Sequence, residues 1–471
     1  MAFAGGLAAI FCYYFMAISD GHLRLFQPVD LGLTFNSMLD HLLHGQFDVA
    51  PDAVRFEGYV HDGKTYSYWG IFCALVRLPL LLIPNGLSLD VTYLSCLAAA
   101  TAGTGVKLLT LRMMIRRIPA TLIIPAVLYI VFAGQYFGFL KATIYEEILL
   151  WASTIASAFL LLAFHGLLQG RYSARILLGM ATLAGLALLC RVTFGIGLYG
   201  ALGLLLLKLL IDSRGRSFAD RGWIGAVLVL LGFMVLTGTV NFYRWGSPLT
   251  FVNNSGYLMN TNYPDRRIRE ALYGNFNVRR ILYSLDYYLG VFWTLRNDTG
   301  YLFSEAHNRL FDVIELPQSS FLLTDLFAFA SFLSGVALAR QETTRFERWT
   351  LAALFGGLAL QSALLLCAIS TAYRYRQDFY PLIDLLLFTG LILLGRVGVD
   401  RRSRLRIGIA ATVLISMAGA HVSLGLYKLS PLGMYALNVP GSLTDYYIEQ
   451  FQRRFGQAFS ATEVPTIPIK P

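Results

Sequence analysis

Runs of about 20 mostly apolar residues recur along most of this 471-residue chain, and no other feature constrains its fold as strongly. A run of that length lets an α-helix cross the hydrocarbon core of a bilayer with its backbone polar groups satisfied internally. Eleven spans can be placed, at 2–19, 90–111, 119–138, 147–168, 176–190, 192–211, 223–240, 321–339, 349–369, 379–395 and 407–426. Only 14% of the residues are charged, against about 25% in a soluble globular chain, so a soluble body of this size is excluded. Disorder is excluded too, because 33 Phe and 26 Tyr exceed what a disordered chain carries. The expected fold is all-α: a polytopic membrane protein with about 11 transmembrane helices. The first run has no basic segment before it and no small-residue cleavage site after it, so it reads as an uncleaved span.

Short basic joints separate the runs and set their direction. They are Lys107, Arg112, Arg116 and Arg117; Arg171 and Arg175; Arg214, Arg216 and Arg221; Arg340, Arg345 and Arg348; and Arg396, Arg401, Arg402, Arg404 and Arg406. All five fall on the cytoplasmic side if the apolar stretch from Ile71 to Ile83 does not span. That stretch is short and holds Arg77 and Pro79, as an interfacial or re-entrant segment would. The N-terminus is then cytoplasmic and the C-terminus lies outside. The net charge of +10 serves orientation on this reading, and no nucleic-acid partner is expected. Each of the five cysteines stands alone in apolar sequence and reads as a packing residue.

This topology makes residues 1–426 a membrane domain with two sizeable outer segments, 20–89 and 241–320, and an outer tail at 427–471. The first segment carries Asp20, Asp30, Asp40, Asp48, Asp52, Glu57 and Asp62 against Arg24, Arg55 and Lys64, an acidic balance that suits the non-cytoplasmic side. Within it, Asp30 to Gly45 places Leu31, Phe35, Met38, Leu39, Leu42 and Leu43 at helical spacing, with Asn36, Asp40, His41 and His44 off that stripe. An amphipathic helix in the interface is expected. Asp30 opens it, where a carboxylate either caps free amides or faces a cleft. Asp40, His41 and His44 read either as a metal corner or as a solvated face.

An acidic residue after the first span, an amphipathic helix, and then a Gly and a Pro (Asp30, Gly45, Pro51) resemble the first periplasmic loop of the GT-C superfamily of integral-membrane glycosyltransferases. Residues 57–82 are similar to that family's second interfacial segment, which also lies on the membrane without crossing. NFYRWGSPLTF at 241–251, RVTFG at 191–195 and AYRYRQDFYPLIDLLL at 372–387 resemble further stretches of the same enzymes. The chain departs from the pattern at Leu31, where many members have a second acid beside the first, and it lacks their Pro-Pro pair in the second interfacial segment.

The resemblance implies a GT-C-like fold in a bacterial inner membrane, with a polyprenyl-phosphate-linked sugar as donor, a lipid, glycan or protein as acceptor, and a site on the periplasmic face. A divalent metal is its candidate cofactor, left open by the single acid at Asp30. Such transfer needs a carboxylate to take the acceptor's proton and cations to offset charge on the departing phosphate. Asp30 is the expected base, with Glu57 as its competitor. The topology puts Lys141, Arg191, Arg244, Arg374 and Arg376 at the outer face for the phosphate, although a snorkelling anchor would account for Arg191 and a salt bridge with Glu146 or Glu147 for Lys141. Asp378 is expected to pair with Arg374 or Arg376. Tyr66, Tyr68 and Trp69, with Tyr59 nearby, suit stacking on a sugar ring or an interfacial aromatic belt. Arg266, Arg267 and Arg269 read as a solvated helix face, and the triplets at Asn253 and Asn297 match glycosylation sequons. Two other functions fit a polytopic chain: a transporter or flippase, and a non-catalytic partner in envelope polysaccharide assembly. No matched halves of the transporter kind are visible in the sequence.

Overall fold

Backbone amides cannot go unpaired in a bilayer, so long apolar sequence is driven into helices. The structure, a computed structural model, describes residues 2–213, 221–262, 265–290, 296–297, 300–301, 310–311, 319–339, 343–397 and 403–429. The joint residues Arg214, Arg216, Arg340, Arg401 and Arg402, the tail from 430 to 471, and positions 298–299 of the second sequon lie outside them.

In chain order, α1 is Ala2–Ile18 and α2 is Thr34–Leu43, followed by β1 (Tyr59–His61), β2 (Lys64–Tyr66) and α3 (Thr92–Met113). Then come α4 (Ala120–Phe132), α5 (Ile144–Gln169), α6 (Ala174–Cys190), α7 (Val192–Asp212) and α8 (Arg221–Trp245). Next come α9 (Asp265–Tyr273) and α10 (Ile281–Leu289), and after them α11 (Leu326–Leu338), α12 (Arg345–Leu366), α13 (Tyr380–Arg396) and α14 (Ser403–Leu429). Helices coincide with all eleven expected runs. Eight of the described helical stretches have the length and hydropathy of a full crossing, while Phe3–Ile18, Ala174–Cys190 and Leu326–Leu338 are shorter.

The chain is thus an all-α, multi-pass membrane protein whose described strands form only two small hairpins. Helix α13 is its most enclosed element, with Leu387, Phe388, Leu391 and Leu394 buried. Helix α8 instead exposes Leu228, Met234 and Val235, the surface expected to face lipid. Helices α7 and α12 touch backbone to backbone: a Cβ on Gly357 would fall 1.9 Å from the Ala201 nitrogen. Small residues permit this approach, the usual device of helix packing in membranes.

The stretch from Ile71 to Ile83 forms no continuous helix of crossing length. It forms one α-turn, Phe72–Leu75, and a 3₁₀ turn, Leu78–Leu82. Between them Arg77 is drawn inward to Glu147 on α5, with bonds of 2.5 and 2.8 Å. Lys107 departs from its expected place in a basic joint, because it lies inside α3 and bonds Asp384 at 2.8 Å. An ionisable side chain at that depth stays only where a partner meets it.

Candidate active site

The site is built from residues 20–89 inward. Asp90 accepts hydrogen bonds from the Thr92 amide at 2.9 Å, at the start of α3, and from the Val29 amide at 2.7 Å. A Cβ on Gly32 would lie 2.0 Å from the Asp90 Oδ2, so only glycine lets the loop sit this close. The chain turns through Leu31 at φ +62°, an uncommon backbone for a branched side chain, and α2 therefore starts at Thr34 and not at Asp30. Its cap is Leu33 without any side-chain bond, so Asp30 caps nothing. Instead its half-exposed carboxylate receives Arg55 at 2.6 Å. Arg55 is itself at φ +43°, which leaves strained backbone on both sides of the pair. Asn36, expected on a polar face, is buried: its amide donates to the carbonyls of Leu87 and Leu89 and its oxygen accepts from Arg77.

Arg55 and Glu57 are the two ends of one 3₁₀ turn. Glu57 is buried, and its two oxygens accept from separate phenols, Tyr145 at 2.7 Å and Tyr257 at 2.9 Å. The β1–β2 hairpin follows, closed by Asp62 and Gly63 with φ of +48° and +74°, the conformation that an Asp-Gly turn favours. Its Tyr59 stacks on Tyr257 at 4.4 Å and, with Tyr66, packs on Trp245 at the end of α8. A backbone bond from the Leu258 amide to the Gly58 carbonyl (3.0 Å) ties residues 241–262 to this hairpin. Burial, and after it the Glu57 charge, pushes the Tyr68 and Tyr257 phenols above the ordinary tyrosine value, so both stay neutral.

Beyond Tyr145 lie the cations. The Arg374 guanidinium sits over the Tyr145 ring at 4.6 Å and near the Tyr375 ring at 5.4 Å, and Arg191 approaches Tyr375 at 5.2 Å. Arg191 separates α6 from α7 and forks onto Asp378 with bonds of 2.9–3.1 Å; the Thr193 hydroxyl also donates to Asp378. Asp378 therefore pairs with Arg191, not with Arg374 or Arg376. The reason is the 3₁₀ helix Tyr373–Phe379, in which residues three apart share a face and Tyr375 and Asp378 meet Arg191 together. On the other side of Tyr145, the Trp69 ring packs edge-on at 5.7 Å, and its carbonyl accepts from Arg244 at 2.8 Å. Arg244 is buried, with no acidic partner among the described residues.

One contiguous cluster therefore gathers Glu57, Tyr66, Tyr68, Trp69, Arg191, Arg244 and Arg374. Asp30 joins it only through the Arg55–Glu57 turn. Lys141 and Arg376 belong to a second cluster around Tyr373 and Tyr427: Lys141 lies over the Tyr427 ring at 4.6 Å, and Arg376 lies 5.2 Å from the Tyr373 ring. There Arg376 donates to Ser319, Thr324 and Asp325, while Glu146 receives the Tyr427 hydroxyl. Asp90, Tyr145, Tyr257 and Asp325 were not singled out by the sequence reading. Only Asp90 has a local signal, an Asp-x-Thr at a helix start. Among the described residues no group of three or more His, Cys, Asp or Glu side chains is arranged to hold a metal. Asp30 meets a guanidinium and, among the described residues, Asp40 meets His44, so the donor set does not suit a divalent ion.

Among solved structures, the chain is similar to ArnT from Cupriavidus metallidurans bound to undecaprenyl phosphate, at 12% identity and a TM-score of 0.44, over 90% of this chain and 75% of that one. It is also similar to the Archaeoglobus fulgidus oligosaccharyltransferase in its apo form, at 12% identity and a TM-score of 0.45, over 98% of this chain and 62% of that one. A third is AglB from Archaeoglobus fulgidus in complex with an inhibitory peptide and a dolichol-phosphate, at 13% identity and a TM-score of 0.45, over 98% and 61%. The chain spans less than two thirds of the length of these archaeal proteins. No family model and no curated protein matches it.

Proposed function

We propose that this chain is a membrane glycosyltransferase, taking a sugar from a polyprenyl-phosphate donor and passing it to a lipid, glycan or protein acceptor at the periplasmic face of a bacterial inner membrane. The observation that carries this reading is the Arg55–Glu57 turn, which holds an open carboxylate, Asp30, at one end and reaches the cation cluster through Glu57 at the other. That arrangement supplies the two things the chemistry requires. Asp30, with one oxygen toward Arg55 and its carboxylate half-exposed, is the reachable base for the acceptor's O–H or N–H proton. Glu57 has both oxygens occupied by phenols, so it positions Tyr145 and Tyr257.

As the acceptor's lone pair bonds to the anomeric carbon, the C–O bond to the phosphate breaks and its electron pair stays on the phosphate oxygen. Attack from the face opposite the phosphate inverts the anomeric centre. Arg191, Arg244 and Arg374 are assigned to the phosphate, Arg244 most directly, since a buried guanidinium without an acid nearby favours an anionic ligand. Lys141 and Arg376 are assigned to the same donor's approach from the second cluster, and Tyr66, Tyr68 and Trp69 to the sugar.

The test is transfer in reconstituted vesicles, starting with undecaprenyl- or dolichol-phosphate sugars. Asp30→Asn should lower kcat by about 10²–10⁴-fold at unchanged donor KM, whereas Arg244→Gln should raise donor KM. Full transfer by Asp30→Asn would remove that carboxylate from the reaction. A second reading, movement of a polar solute across the membrane, draws on the buried Lys107–Asp384 pair. It predicts solute uptake by vesicles that is lost in Lys107→Met, with no sugar transfer in either form.

A further inference from the structure

A cavity of about 600 Å³ opens in the second outer segment, lined by Trp245, Asn253, Asn254, Ser255, Arg267 and Glu270 among others. Its size falls in the range of about 300–1,000 Å³ usual for small-molecule sites. The lining is mostly polar, and Arg267 and Glu270 cancel in charge. A lipid tail would want apolar walls, and a free phosphate a surplus of positive charge. Planar amides and a carboxylate suit neighbouring hydroxyl groups, since each offers paired acceptors or donors in one plane. The aromatic wall is rigidly backed, because the Trp245 ring packs on Tyr59 and Tyr66. The buried indole N–H of Trp245 has no hydrogen-bond partner among the described residues. Asn254 is held in place by Glu270 at 2.6 Å and Asn275 at 3.4 Å.

The position of the cavity adds to its chemistry. Tyr257 follows Ser255 by two residues and donates to one Glu57 oxygen; Tyr145, on the side of Arg374 and Arg191, donates to the other. Glu57 thus stands between Tyr257 on the cavity side and the guanidiniums of Arg191 and Arg374. We propose that this cavity binds a neutral, hydroxyl-rich saccharide portion of the acceptor, on the opposite side of Glu57 from Arg191 and Arg374. The proposal rests on the transferase reading and deepens it.

The test uses the full chain in nanodiscs on a glycan array that displays neutral, amino and acidic oligosaccharides, read beside the transfer assay. At least one neutral glycan should bind, and Asn254→Ala and Glu270→Gln should each weaken it about tenfold, the scale of one hydrogen bond to a charged or buried group. Arg267→Ala, at an exposed position that leaves packing intact, should weaken it as well. Thermal unfolding of each variant separates lost binding from lost fold. Absence of binding to every neutral glycan, or binding unaltered in all three folded variants, overturns the proposal. The two readings fail separately. Glycan binding with no transfer from any polyprenyl-phosphate sugar sinks the transferase and leaves the saccharide site, whereas transfer with acceptor KM unchanged in Glu270→Gln does the reverse.

Discussion

Arg77 and Glu147 are sealed from solvent at 1% and 0% exposure, and Ser95 donates to the same carboxylate at 2.6 Å. Removing one charge leaves the other buried alone, so Glu147→Gln should cost about 3–5 kcal/mol. Arg77→Met with Glu147→Leu should recover much of that loss, as thermal unfolding in detergent can show. Equal destabilisation by the single and double changes would mean that the pair is held by something other than its charges. The phenols of Tyr68 and Tyr257 give a second residue-scale expectation. Their folded values lie above the ordinary 10.0, so the native state keeps protons that the unfolded chain releases. Stability from these groups is complete below about pH 10 and falls as the pH rises beyond it. Tyrosinate absorbance should therefore rise in two stages, the later one released by unfolding, and Tyr257→Phe should shrink the later stage.

Element by element, the hydrophobic runs were legible because a membrane helix needs only length and apolarity, and neither depends on its neighbours. The β1–β2 hairpin carries a readable Asp62-Gly63 turn signal within the stretch expected to lie in the interface. The 3₁₀ helix Tyr373–Phe379 had no such signal, since it differs from an α-helix by one residue of register, and the partner of Asp378 turns on that register. Helix packing makes a sharper prediction. A Cβ at Gly357 would meet the Ala201 backbone at 1.9 Å, whereas one at Gly203 on α7 would meet nothing within 4 Å. Gly357→Ala should separate α7 from α12 and lower the melting temperature, and Gly203→Ala should not. If both melt alike, the close contact is not what holds these helices.

At the scale of the whole molecule, the basic joints predict the sides of the membrane. In a cysteine-free background, Ser173→Cys should react with an impermeant maleimide only from the cytoplasm, and Ser255→Cys only from outside; labelling of both from one side would undo the proposed orientation. The sequence by itself determined that the chain holds many helices fit to cross a bilayer and that Ile71 to Ile83 is too short to be one of them, because hydropathy and span length are local properties read against a fixed thickness of lipid. It also picked out Glu57 and three cations that share one cluster. Only the tertiary structure decided who meets whom: Arg191 with Asp378, Arg77 with Glu147, Glu57 with Tyr145 and Tyr257. Those pairings join residues 70 to 200 positions apart, and side chains that far along the chain are brought together by packing and by the cost of leaving a buried charge or hydroxyl unmatched, which no local pattern encodes.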